Sequence, residues 1–242
     1  MIFSSHFRQG VRAAIPVWAA FVPMSCALGI AAKTYGLSLA EIVLMSALVY
    51  AGPAQFATLE PLASGKPALQ IILTTLLINL RLLVMSAAMA PYFRGVKRAA
   101  RLLSIHFLGI SSFIVPYLHF QKHIERLPQS EAVAEISLEN LSYYLGVALT
   151  NYSVWVLGTG LGYWVALRFP SGFEEGLKFM LPGYFAALLF SELKQRTARI
   201  TVVASFFAAI PGALWNPDWG WLATALMAAT VFWGMEQWMR RG

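Results

Sequence analysis

The sequence predicts an all-α polytopic membrane protein. It has about six crossing helices plus two proline/glycine-broken re-entrant segments arranged as an inverted repeat; seven or eight plain transmembrane helices are the alternative. Three observations lead there. Of 242 residues, 58% are hydrophobic and only 12% are charged, about half the charged share of an ordinary soluble domain. A soluble core of this length cannot hide so much apolar surface, so the surrounding medium is lipid. Apolar stretches fall near residues 13–32, 40–62, 67–92, 102–120, 141–167, 171–192, 199–216 and 219–239, each close to the ~20 residues that cross a bilayer. Two of these stretches share a break: AGPAQFATL (Ala51 to Leu59) and MLPGYFAALL (Met180 to Leu189).

Aligning Pro53 with Pro182 also pairs Phe56 with Phe185, Leu59 with Leu188 and, upstream without a gap, Leu28-Gly29 with Leu157-Gly158. Interrupted apolar segments at matching positions of two halves point to a transporter's binding site. The halves so defined are residues 8–120 and 137–242 of one integral membrane domain covering 1–242.

The first stretch follows Arg8 and Arg12. Its length, and the lack of a small-x-small cleavage site, make it a retained helix rather than a signal peptide. Basic residues belong on the cytoplasmic face. Three plain crossings would part Arg8 and Arg12 from Arg94, Lys97, Arg98 and Arg101, and three more would part these from Lys194, Arg196 and Arg199. Making the second and sixth stretches re-entrant places all of them, with Arg240 and Arg241, on one face. On that scheme the fourth stretch crosses outward, the loop from Glu125 to Glu139 lies outside, the fifth stretch returns, and both termini are cytoplasmic. Trp215, Trp219 and Trp221 sit at an outer turn as an interfacial belt.

Several function classes are excluded. The net charge is +7, but the basic residues lie in short loop clusters and no nucleic-acid-binding motif is present. The single Cys26 rules out an internal disulfide or a cysteine-based zinc cage. His119 and His123 have metal-ligand spacing without a third ligand. LGTGLG (Leu157 to Gly162) lacks the Lys-Ser/Thr and the strand of a phosphate loop; Gly158 and Gly162 read instead as a close helix contact. No catalytic pair, metal or cofactor is expected, so the chain is not read as an enzyme.

The polar residues inside apolar stretches are the candidates for function. Asn79 and Arg81 lie mid-helix in LLINLRLLVM, where a charge costs at least ~3 kcal/mol. Arg81 therefore faces the interior, either as a carboxylate site or in a fixed ion pair with Glu60 or Glu192. Gln55 follows the break at Gly52-Pro53, where a half-helix start leaves N–H groups that attract anions. Gln55 and Asn79 either orient a substrate's polar head or are satisfied by neighbouring helices. Phe56, Met180 and Phe185 would line an apolar pocket, while Pro53 and Pro182 free backbone groups beside it. Asn151 lines a cavity or bonds a neighbour. His106, early in the fourth stretch, is a packing residue near an interface or a proton carrier.

YAGPAQF (Tyr50 to Phe56), NLRLLVMS (Asn79 to Ser86), VWVLGTGLG (Val154 to Gly162) and KFMLPGYF (Lys178 to Phe185), in this order and spacing, resemble the AzlC-type family of branched-chain amino acid permeases. The resemblance covers nearly the whole chain. It implies an inner-membrane exporter of branched-chain amino acids such as valine, sometimes methionine, acting with a small AzlD-type membrane subunit. It implies no ATP hydrolysis. Two departures stand out: Ile110 and Ser111 occupy the place where the family often carries an Asp-Glu pair, and Leu82 replaces a His after the third-helix Arg. Substrate carriage is one reading; the other is a non-transporting assembly subunit whose partner holds the pathway.

Overall fold

The computed structural model describes residues 5–124 and 133–168, with single helical positions at 207, 210, 211, 214, 227 and 230. Both described segments belong to one compact unit, which is helical throughout with no strand among the described residues. The helices are α1 (Ser5–Thr34), α2 (Leu39–Val49), α3 (Gly52–Ala63), α4 (Ala68–Met89, continued by a 3-10 turn at Ala90–Phe93), α5 (Arg98–Ile105), α6 (Ile110–Ile124) and α7 (Val133–Ala166). Among the described residues two spans, Ser5–Thr34 and Ala68–Phe93, are long and apolar enough to cross a membrane.

Helices α1 and α7 form the central pair, and they run parallel. At one end His6 Nε2 lies 3.7 Å from Glu139 Oε2. Midway, Phe21 packs edge-on against Trp155 with ring centroids 5.3 Å apart. At the other end Gly29 lies on the backbone of Thr159 and Tyr163. A Cβ on Gly29, Gly158 or Gly162 would overlap the Thr159 carbonyl, the Ser25 hydroxyl or the Cys26 carbonyl, so small residues set this contact, as their spacing suggests. The sequence reading had the fifth stretch returning antiparallel to the first, with Glu139 at the far face. The structure corrects this: Glu139 stands beside His6, at the same end as the start of the chain.

The second apolar stretch is broken at the expected place. Helix α2 begins with a capping box, Ser38 and Glu41 each bonding the other's backbone or side chain. The Ser38 N–H and hydroxyl, both 2.7 Å away, hold the Glu41 carboxyl below the usual carboxylate range. The helix stops because Tyr50 takes a left-handed conformation, φ 40°, which an L side chain adopts at a cost. Helix α3 then starts at Gly52 with Pro53 in its first turn, where the missing N–H has no partner to lose. Gln55 Nε2 donates to Ser46 Oγ at 2.9 Å, nine residues back. In a straight helix those positions lie about 13 Å apart along the axis, so the chain has reversed. Val43 lies by Gly160, Ser46 by Thr159 and Ala47 by Tyr152. The hairpin therefore comes in from the C-terminal end of α7 and turns back at Tyr152.

The fourth stretch was expected to be one crossing helix. It is a second hairpin. Helix α5 ends at Ile105 and α6 starts at Ile110; between them Ser112 Oγ accepts the Gly109 N–H and donates to the Phe107 carbonyl, both at 2.7 Å. That hydroxyl supplies the turn chemistry that interrupts an otherwise apolar run. Tyr144 Oη donates to the Ser104 carbonyl, Phe107 meets Tyr152 at 5.0 Å, Asn151 bonds Ser111, and His119 stacks on Tyr143 at 3.9 Å. The chain thus rises along α7 from Tyr144 to Tyr152 and descends to Tyr143. Because this stretch returns to its own end, α7 starts where α4 finished, which is why α7 parallels α1. At that end Asn140 donates to the Tyr92 carbonyl and Phe93 packs on Tyr144.

Candidate functional site

The two hairpin tips meet beside Tyr152. A Cβ at Gly109, in the second tip, would sit 3.3 Å from Tyr50 Cε1 in the first, and Tyr50 lies edge-on to Tyr152 at 5.1 Å. Stopping α2 leaves its last carbonyls without helical partners. The Ala47 carbonyl is met twice, by Tyr152 Oη at 2.9 Å and by His106 Nε2 at 3.0 Å. His106 is thus an exposed tip residue whose ring N–H donates to the end of α2.

On the α3 side of the break the polar groups close into a ring. Trp155 Nε1 donates to Gln55 Oε1 at 2.9 Å, Gln55 Nε2 to Ser46 Oγ at 2.9 Å, Ser46 Oγ to Thr159 Oγ1 at 3.2 Å, and Thr159 Oγ1 to the Trp155 carbonyl at 2.8 Å. All four side chains are at most 2% exposed. Trp155 and Thr159 are one turn apart on α7, so one helix face serves both partners. The ring fixes the α3 N-terminus, where Gln55 N–H is already taken by the Ala51 carbonyl and the Gly52 and Ala54 N–H groups stand in the first turn.

The other side of the tips is not closed. Asn151 Nδ2 donates to Ser111 Oγ at 3.2 Å, but among the described residues Asn151 Oδ1 is buried with no hydrogen-bond partner and Tyr50 Oη meets the Ser111 hydroxyl only with poor geometry. Neither Tyr50 nor Ser111 was singled out from sequence as a polar contact. The cue was the Ser-Ser pair after Gly109, which reads as ordinary helix in an apolar run.

Of the residues named from sequence, Pro53, Gln55 and Phe56 are buried at the first tip. Asn79 and Arg81 are half-buried on α4, and Asn79 Oδ1 has no hydrogen-bond partner. Glu60 is exposed. Met180, Pro182, Phe185 and Glu192 lie outside the described residues, as does the second proline break. Among the described residues no group of three or more His, Cys, Asp or Glu could hold a metal. A cavity of about 200 Å³ opens where α4 meets α5, lined by Met89, Phe93, Leu108 and Tyr144 with Arg98 and Arg101. The spacing of Arg98, Arg101, Leu102 and Ile105 on α5 was its sequence signature.

Among known proteins, the chain is 30% identical over 201 residues to an uncharacterized membrane protein of Archaeoglobus fulgidus, covering 82% of this chain and 81% of that one. It is 24% identical over 213 residues to the inner membrane protein YgaZ of Escherichia coli, covering 86% and 82%. It is 23% identical over 188 residues to the branched-chain amino acid transport protein AzlC of Bacillus subtilis, covering 77% and 67%. No solved structure matches. Residues 16–167, from within α1 to the end of α7 and so including both hairpins, match the family described as AzlC protein, and the chain belongs to that family.

Proposed function

We propose that this chain is the large subunit of an exporter that carries branched-chain or similar small apolar amino acids across the cytoplasmic membrane. A role in membrane transport accords with its family and with the name of the B. subtilis relative. The observation that carries the proposal is the meeting of two broken hairpins at Tyr152, from opposite ends of α7. Irregular backbone at membrane depth persists only where protein buries it or water reaches it. Half-helix ends at the midplane are where transporters hold charged substrate groups.

In a bilayer, α1, α4 and α7 cross, α2–α3 enters from one face and α5–α6 from the other. Helices α2–α4 and α5–α7 then form an inverted repeat, shorter than the halves 8–120 and 137–242. With the N-terminus inside, the second hairpin opens beside Arg94, Lys97, Arg98 and Arg101, in keeping with the charge rule. Arg81 and the α3 N-terminus behind Pro53 receive the substrate carboxylate, and Asn79 orients the polar head. Phe56 walls the apolar side chain. Gln55 acts through the ring, holding the α3 terminus in place. The exposed apolar face of α4, with Leu69, Ile72, Leu76, Leu80 and Leu83, is the seat for a small AzlD-like subunit.

Valine efflux from loaded cells tests the assignment. Arg81→Gln at equal expression is expected to lose at least tenfold in rate; undiminished efflux rejects Arg81 as the carboxylate contact. Efflux only in the presence of the small subunit, with the pathway mapped to that partner, would favour an assembly role instead. Single cysteines at Lys66 and Lys97, in a Cys26→Ser background, should label from opposite faces; labelling from one face rejects the two-hairpin topology.

A further inference from the structure

Two buried polar atoms go unmet at one place in the described residues. Asn151 is fully buried and Tyr50 is 5% exposed, yet Asn151 Oδ1 and Tyr50 Oη have no hydrogen-bond partner. Both flank the Ser111 hydroxyl: Asn151 Nδ2 donates to it at 3.2 Å, and the Tyr50 hydroxyl interacts with it without reaching good hydrogen-bond geometry. The surrounding polar groups are accounted for. Tyr152 and His106 hold the Ala47 carbonyl, Ser112 bridges its own turn, and Tyr144 holds the Ser104 carbonyl. A stranded buried polar atom costs free energy comparable to a lost hydrogen bond, and such atoms persist where a ligand completes them.

The chemistry of the three oxygens is specific. An amide oxygen only accepts; the two hydroxyls can each turn a lone pair inward. The C-terminal ends of α2 and α5 stop at these tips, and helix C-termini carry partial negative charge. Neutral oxygens beside helix C-termini suit a small monovalent cation. We propose that Tyr50, Ser111 and Asn151 form a subsite for a monovalent cation, either the α-ammonium of the transported amino acid or a coupling Na⁺. The inference rests on the transport reading: it supplies the pole opposite the carboxylate contact at Arg81, and it lies on the other side of the tips from the Gln55 ring.

The test is calorimetric titration of the purified full chain with four probes: L-valine, isovalerate (no amine), 3-methylbutylamine (no carboxylate), and NaCl against choline chloride. The amine or Na⁺ should bind wild type and bind at least tenfold more weakly to Asn151→Leu, while Asn151→Asp, which keeps the oxygen, retains binding. Isovalerate should not respond to residue 151. Binding of the amine alone assigns the substrate ammonium; binding of Na⁺ alone assigns the coupling ion. If Asn151→Leu does not fold, Tyr50→Phe, which removes one oxygen and almost no volume, should weaken the same cation at least threefold. Wild type that binds neither cation, or binds one equally well in folded Asn151→Leu, overturns the proposal and leaves an ordered water as the occupant. The transport reading fails separately: vesicles that move no valine would reject it, while cation binding lost on Asn151→Leu would still uphold the subsite.

Discussion

Two polar clusters share one face of α7, four residues apart, and are treated in opposite ways. Around Trp155, the groups Ser46, Gln55 and Thr159 close a ring in which the amide nitrogen, amide oxygen, indole and both hydroxyls are all paired. Around Asn151, two oxygens are left open. Both clusters are buried, so what chiefly separates them is satisfaction. A closed buried network rigidifies the backbone it spans, and this one pins the start of α3 against α2 and α7. An open cluster adds nothing to stability until something fills it. The contrast separates the part of the junction that holds the hairpins from the part that can take a ligand.

The sharpest way to break the contrast is Gln55→Leu. It strands the Trp155 indole N–H and removes the Ser46 hydroxyl's donor in a site where water cannot substitute. A loss of about 3 kcal/mol is expected from unmet buried donors and acceptors, read by thermal or denaturant unfolding in detergent. A change under about 1 kcal/mol would show that the ring is not structural. Ser112→Ala comes next. It leaves the Gly109 N–H and Phe107 carbonyl of the second tip without their shared partner, at about 2 kcal/mol. Because this hydroxyl bridges both sides of the second tip, beside the backbone bonds of Phe107 and Leu108, the second hairpin's hydrogen-exchange protection should fall more than that of the first.

A smaller effect lies at the mouths of the hairpins. Helix α2 enters through the Ser38–Glu41 capping box, whereas α5 has no side-chain cap. Ser38→Ala should cost about 1 kcal/mol as a lost N-cap. The Glu41 carboxyl is depressed in the folded state by the Ser38 N–H and hydroxyl, so its contribution is present at neutral pH. It is lost as pH falls through the folded value, in the acid range below the ordinary carboxylate pKa. Unfolding followed between neutral and acid pH should show wild type and Glu41→Gln converging at the acid end. Curves that stay parallel would show that the box does not contribute.

The break between α2 and α3 was legible because glycine and proline stand together at Gly52-Pro53, and proline is best accommodated in a helix's first turn. A close helix contact was legible in the spacing of Gly158 and Gly162; that α1 is the partner, through Ser25 and Cys26, was not. The second hairpin was hidden. Its break at His106 to Gly109 contains no proline, and FLGISSF has the composition of a plain membrane helix. What stops α5 is a single hydroxyl, Ser112, bonding its own turn, and that hydroxyl could equally have bonded back into a continuous helix. Missing it reversed the direction assigned to α7, since the charge rule counts crossings and one hairpin changes their parity. Gln55 was picked out correctly as a polar residue at the break. Its partners were not, because Ser46, Trp155 and Thr159 come together only once the hairpin folds onto α7.

The smallest expected effect is the most discriminating. Tyr50→Phe removes a buried hydroxyl that, among the described residues, meets the Ser111 hydroxyl only with poor hydrogen-bond geometry, and keeps the ring that packs on Tyr152 and Gly109. Removing an unsatisfied group spares its desolvation cost, so stability should stay within about 0.5 kcal/mol of wild type or rise. This is the opposite of the ring substitutions, although Tyr50 sits at the same tip and is the residue whose left-handed backbone makes the turn. A loss of 2 kcal/mol or more would mean that the hydroxyl has a structural partner, and the division between a holding side and an open side would fail. Unchanged stability with impaired valine efflux would place the role of that oxygen in the transport cycle and not in the fold, because folding would then proceed equally well without it.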